Sequence, residues 1–150
     1  MRCMSARCSR TFAYWPNNNT WKELAPMRTA ASAHSMAVFD GHIYKCGGRN
    51  DNDGFLSACE RLPVATATAA GQWMAAPSLR TGRGLFVLVT VGDRLLAIGG
   101  LGDSHHWDAD MSSVEALLAG AAEWTPLHGT AAAWSYFGAA VVPSTKTAVD

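Results

Sequence analysis

The chain has 150 residues, 49% of them apolar and 16% charged, so it is no disordered charged tail and is long enough to bury a core. Twelve Lys and Arg balance twelve Asp and Glu, which removes the basic face that nucleic-acid binding requires. Fourteen Gly beside six Trp favour short strands joined by tight turns around large rings.

Met1 to Arg10 carries three Arg and no apolar run. It holds no secretory segment and is expected to be disordered. The longest apolar stretch, Leu85 to Val91, is too short to span a bilayer, so no membrane partner is expected. Cys3, Cys8, Cys46 and Cys59 form no CxxC pair, and no His stands at zinc-finger spacing. A reduced, cytoplasmic location is the default. Cys8, Cys46 and Cys59 then read as small core hydrophobes and Cys3 as an exposed thiol.

The chain repeats itself. Trp21, Trp73 and Trp124 are separated by 52 and 51 residues, and Gly47-Gly48 and Gly99-Gly100 by 52. Each doublet follows its Trp by 26 residues. Arg28-Thr29 matches Arg80-Thr81 at the same offset, and Leu56–Leu62 parallels Met111–Leu117. Each unit reads as four strands. In the first, Asp40-Gly41 is a hairpin signal between Met36–Phe39 and His42–Cys46. In the second, Leu85–Val91 reads as a strand buried on both faces, followed by Gly92-Asp93, which suits a II′ turn. Arg94–Ile98, Met111–Leu117 and Glu123–Leu127 complete it; the Ala- and Leu-rich Val114–Ala122 also allows a helix, which the repeat register disfavours.

Four antiparallel strands cannot bury both their faces, so the units are expected to pack blade against blade. The Gly doublets would allow close backbone approach and positive φ near the axis. The Trp of each outermost strand would cover the gap between blades.

With its apolar runs into Gly-Gly (Ile43 to Gly48 and Leu95 to Gly100), a glutamate on the third strand and a Trp on the fourth, the chain resembles the kelch-repeat family. Tyr14-Trp15-Pro16-Asn17-Asn18-Asn19-Thr20-Trp21 is similar to the segment that ends a kelch repeat, with Trp15 where Asp usually stands. Leu96 replaces the usual Tyr, and Glu115-Ala116-Leu117 lacks the usual aromatic. The resemblance covers residues 11 to 142 and implies an all-β fold, a kelch-type β-propeller fragment. Its divisions are a disordered 1–10, the outer strands of an incomplete blade at 11–27, blades at 28–78 and 79–127, and the start of a truncated blade at 128–150. Tyr136–Val142 would be an open edge strand. Two complete blades and two partial ones fall short of a ring of roughly four to eight, so closure would require further sequence or other copies.

Chemistry-bearing clusters are few. Asp103, His105, His106, Asp108 and Asp110 have metal-ligand types, but adjacent His on a strand point oppositely, so a solvated loop is expected. Arg49 to Gly54 with Glu60 has part of a calcium-loop pattern, but the repeat places Glu60 in a strand. His34, His42 and His128 lie apart and read as structural or surface residues. Ser35, Ser57 and Ser135 lack a nucleophile-elbow context, and no helix follows either Gly doublet to bind phosphate. Glu60 and Glu115 fall at equivalent positions, which suggests a scaffold role. No catalytic residue, cofactor or metal is assigned.

In a meander, successive turns alternate between the two ends of the stack. The segments entering each blade therefore share an end with the loops after the Gly doublets. That end gathers Arg28, Arg49, Arg80, Arg83, His105, His106 and Trp107, the residue types that anchor interfaces and that could hold an acidic segment bidentately. The resemblance implies a non-catalytic module that captures a protein partner, as a substrate receptor of a cullin-type ubiquitin ligase or in association with actin. Two other readings stand beside it. One is a kelch-fold oxidase, epimerase or lyase fragment; the other is a truncated chain without independent function.

Overall fold

The computed structural model describes residues 8–102 and 111–141, which contain strands and two 3-10 turns but no α-helix. In chain order the strands are β1 (Thr11–Trp15), β2 (Thr20–Leu24), β3 (Ser35–Phe39), β4 (His42–Cys46), β5 (Arg49–Asn50), β6 (Gly54–Phe55) and β7 (Cys59–Pro63). They continue with β8 (Met74–Ala76), β9 (Arg83–Gly84), β10 (Val87–Val91), β11 (Arg94–Ile98), β12 (Leu101–Gly102), β13 (Val114–Leu118) and β14 (Thr125–Leu127). Two four-stranded antiparallel meanders, β3-β4-β7-β8 and β10-β11-β13-β14, are the two blades. β1 and β2 form a separate hairpin.

The first two strands of each blade are joined by the turns their residues demand. Asp40 and Gly41 take φ of 45° and 69°, the paired positive angles of a I′ turn. In the second blade only Gly92, at 58°, is positive, as a II′ turn requires. Val114–Leu118 is a strand between β11 and β14, not a helix.

The repeat register holds to single residues. Ala13 pairs with Lys22, Arg61 with Met74 and Ala116 with Thr125, and in each case the second partner directly follows a Trp of the repeat. β1 and β2 are thus the outer pair of a blade, with the edge of β1 unpaired among the described residues. The backbone repeats too. Ala33, Leu85 and Tyr136 take φ of 55°, 55° and 57°, a left-handed conformation that costs a non-glycine residue about 1–2 kcal/mol. Leu85 N–H donates to the Ala33 carbonyl (2.9 Å) and Tyr136 N–H to that of Leu85 (3.2 Å), so each turn braces the next.

Neighbouring repeats meet at the Gly doublets. Gly48 N–H donates to the Arg83 carbonyl at 2.8 Å, and Gly100 N–H to the Trp134 carbonyl at 2.7 Å. A Cβ on Gly47 would run into the Arg83 carbonyl and the Phe86 ring; one on Gly99 would lie 2.6 Å from the Trp134 carbonyl and 3.1 Å from the Phe137 ring. Trp73 and Trp124 are buried, and each donates its indole N–H to a carbonyl of the repeat before it, Ala25 (2.9 Å) and Pro77 (2.8 Å). Trp21 has no such neighbour among the described residues and is 70% exposed.

Several expectations need correction. The strand expected over Leu85–Val91 begins at Val87, because Leu85 occupies the left-handed turn. Only Leu88 in it is buried, in the core cluster it shares with Phe39, Tyr44 and Leu95. The third strands begin at Cys59 and Val114, because Leu56 and Met111 instead donate their N–H groups to the Gly48 and Gly100 carbonyls, each at 2.8 Å. The fourth strand of the second blade begins at Thr125, just after the Trp. Tyr136 to Val141 forms no strand, lacking a partner among the described residues, and Val142 lies outside them. Cys46 and Cys59 are not free core thiols. They face each other across β4 and β7 with Cα atoms 4.1 Å apart and form a disulfide. Cys8 is disulfide-bonded as well. Of the first ten residues, Ser9 accepts the Met27 N–H (2.7 Å) and Arg10 pairs with Glu23 (2.7 Å).

Candidate partner-binding face

Hydrogen bonds define the two ends of the stack. At one, the loop after each third strand returns to the hairpin turn: Val64 N–H donates to the Gly41 carbonyl (2.9 Å) and Ala119 N–H to that of Asp93 (3.2 Å). At the other, the segment entering a blade pairs with the loop beyond that blade's Gly doublet. Ser32 and Arg49 exchange backbone hydrogen bonds of 3.0 and 2.8 Å, and Leu101 and Gly102 pair with Gly84 and Arg83. Arg28, Arg49, Arg80 and Arg83 therefore lie at this second end.

A buried glutamate builds that end in each blade. Glu60 accepts the N–H groups of Arg28 (2.7 Å) and Thr29 (3.3 Å), and Glu115 accepts those of Arg80 (2.7 Å) and Thr81 (3.3 Å). A carboxylate receiving two backbone N–H groups fixes the incoming segment while leaving its side chains outside. The side chains of Arg28 and Arg80 are accordingly exposed at matching positions.

A buried carboxylate also requires a cation, and the two blades supply it from different positions. In the first, Lys45 stands directly opposite Glu60 across the strands, with Nζ 3.4 Å from the carboxylate. In the second the residue opposite Glu115 is Ala97, and Arg83 reaches in from the incoming segment to 2.5 Å. The register position of Arg83 in the first repeat is Ala31, so cation and alanine have exchanged places. Burial lowers the pKa of both Lys45 and Arg83, opposed by the partner carboxylate.

Arg83 is 0% exposed, and its guanidinium also donates to the carbonyls of Gly99 (3.0 Å) and Ser113 (3.2 Å). It is an internal strut and cannot reach a partner, which corrects its place in the expected binding set. Arg49 is half-buried and engaged by its neighbours. His105, His106 and Trp107 lie outside the described residues. Beside Arg28 a cleft of about 300 Å³ is lined by Thr29, Ala58, Cys59, Glu60 and Ser78 among others.

The calcium-loop pattern resolves into a self-contained turn. Asn50 Oδ1 accepts the N–H groups of Asn52 (3.0 Å) and Asp53 (2.7 Å), while Glu60 faces Arg28 and Lys45. Among the described residues no three His, Cys, Asp or Glu side chains are grouped to hold a metal. His34 Nδ1 lies 3.2 Å from the Ala31 carbonyl, and burial together with the Lys45 charge lowers its pKa. His42 hydrogen-bonds the Asp40 carbonyl, and His128 is exposed.

Sequence reasoning missed Lys45 and the inward role of Arg83. The signal was available for Lys45: strand alternation places it opposite Glu60, on the side that Glu60 already occupies.

No family model matches the chain. Curated proteins do. Over 99 residues, 66% of the chain, it is 32% identical to Kelch-like protein 40 of Mus musculus. It is 37% identical over 91 residues (61% of the chain) to Beta-scruin of Limulus polyphemus, and 28% over 112 residues (75%) to Kelch-like protein 36 of Rattus norvegicus. The matched stretches are 14%, 10% and 18% of those proteins, so the chain spans less than a fifth of their length. Given these relatives, the four-stranded blades and the Trp, Gly-Gly and Glu positions held in one register, the chain belongs to the kelch-repeat family as a partial β-propeller.

Proposed function

We propose that the chain is a non-catalytic protein-interaction module that captures an acidic segment of its partner on the end bearing Arg28 and Arg80. The observation that carries this reading is the repeated geometry of these residues. A buried glutamate holds each backbone, and each guanidinium is left exposed at an equivalent place. Arginine at such a site can hold a carboxylate through two parallel hydrogen bonds. The cleft beside Arg28 gives one side chain of the partner a place to enter. Substrate capture for a cullin-type ubiquitin ligase and association with actin are the two uses that the family resemblance suggests, and both would employ this face.

Fluorescence anisotropy with a labelled Asp/Glu-rich peptide tests the proposal. Saturable binding that weakens with salt is expected, with at least about tenfold loss in the Arg28→Ala/Arg80→Ala double variant. Equal affinity of the double variant and the parent chain would refute the role of this face.

A further inference from the structure

We infer that Asn18 accepts an N-linked oligosaccharide and that the chain is processed in the secretory pathway. Asn18-Asn19-Thr20 has the acceptor pattern Asn-x-Ser/Thr, with Pro neither at the middle position nor directly after Thr20. No other Asn of the chain has Ser or Thr two residues on. So short a pattern arises by chance, and its surroundings decide what it is. It lies on the turn between β1 and β2. Pro16–Asn18 is a 3-10 turn with no buried residue, Asn19 is left-handed at φ 51°, and Thr20 opens β2. Asn18, Asn19 and Thr20 are all exposed. Thr20 Oγ1 donates to Asn18 Oδ1 at 2.6 Å, and the Asn18 amide nitrogen has no partner among the described residues. The carboxamide is therefore held by its oxygen beside the hydroxyl that the pattern requires, with its nitrogen left free.

A second observation is independent of that turn. Cys46 and Cys59 form a disulfide and Cys8 is disulfide-bonded too. Such bonds persist in the secretory lumen and outside the cell and are rare in the reduced cytosol. Blade architecture does not demand the first of them, because at the same register the second blade places Ile98 opposite Val114. The chain thus carries a cross-link that an oxidising compartment maintains, and the secretory lumen is where oligosaccharide is transferred to Asn. There Asn18 Nδ2 attacks the anomeric carbon of a lipid-diphosphate oligosaccharide. The bond from that carbon to the diphosphate oxygen breaks, an N-glycosidic bond forms, and one amide proton is released.

The β1–β2 turn stands where residues 64–73 join β7 to β8, at the end of the stack marked by the hydrogen bond from Val64 to Gly41. A glycan on Asn18 therefore leaves the opposite end, with Arg28 and Arg80, open for capture. The acidic segment captured is then a luminal or extracellular one, which sets this inference apart from the ubiquitin-ligase and actin uses.

The whole protein, purified from its own cells, is treated with peptide N-glycosidase in heavy-oxygen water and mapped by mass spectrometry. The expected result is a fall in mass and an Asn18→Asp conversion that carries the heavy oxygen. Re-expressed in the same cells, Asn18→Gln and Thr20→Ala should each lose the fall in mass, while Thr20→Ser should keep it. An unmodified Asn18 in the native protein, or a fall in mass that survives Asn18→Gln, would overturn the inference.

Discussion

At the scale of the residue, the buried glutamates are the most demanding feature of the blades. Each takes two backbone N–H groups and one cation, so neither can be lost cheaply. Glu115→Ala is expected to cost about 3–5 kcal/mol in urea unfolding, because it leaves Arg83 charged and without its carboxylate inside the blade. The exchanged positions allow a sharper check. Arg83→Ala should destabilise the chain, and adding Ala97→Lys, which recreates the Lys45 arrangement, should recover part of the loss. If the second substitution destabilises further, the compensation argument is wrong. His34 gives a pH signature. Its folded pKa lies below the ordinary histidine value, so the unfolded chain takes up the proton first as the pH falls below about 6.5. The stability contributed by neutral His34 is therefore complete above that pH and lost on acidification. His34→Phe, which places in the first repeat the residue that Phe86 supplies in the second, should flatten the profile below about pH 6.5.

At the scale of the element, a blade is held by its doublet, its Trp and, in the first, a covalent link. Trp124→Ala should cost about 3–5 kcal/mol, since the ring is 1% exposed and hydrogen-bonded to the preceding repeat. Reducing Cys46–Cys59, which closes 13 residues between two central strands, should lower stability by about 3 kcal/mol, read as a fall in midpoint on adding reductant. An unchanged midpoint would show the two strands to be held by their ladder and packing alone. The strands were legible in the sequence wherever turn chemistry was explicit: Asp40-Gly41 and Gly92-Asp93 fixed both hairpins. Strand starts were less legible. Leu85, Leu56 and Met111 are good strand residues by type, yet tertiary hydrogen bonds to Ala33, Gly48 and Gly100 take them out of the ladder. The disulfide was hidden for a related reason. Cys46 and Cys59 have no motif spacing, and only the β4–β7 register brings them together.

At the scale of the molecule, the spacing of Trp and Gly-Gly already specified a stack of blades, because one unit alone leaves both sheet faces bare. The end at which the arginines gather was legible from meander parity. Which of them face outward was not, since Arg83 and Arg80 are equally plausible by residue type. Only the position of the buried carboxylate separates the strut from the exposed guanidinium. Two rigid blades presenting Arg28 and Arg80 at one end are the basis of the proposed capture. Amide hydrogen exchange with and without an acidic peptide tests it most directly. Slow exchange is expected in the central strands β4, β7, β11 and β13, and at the Arg28 and Arg80 N–H groups held by Glu60 and Glu115. The peptide should add protection around residues 28–29 and 80–81. Fast exchange in the central strands, or protection gained instead at the Asp40-Gly41 and Gly92-Asp93 turns, would contradict it.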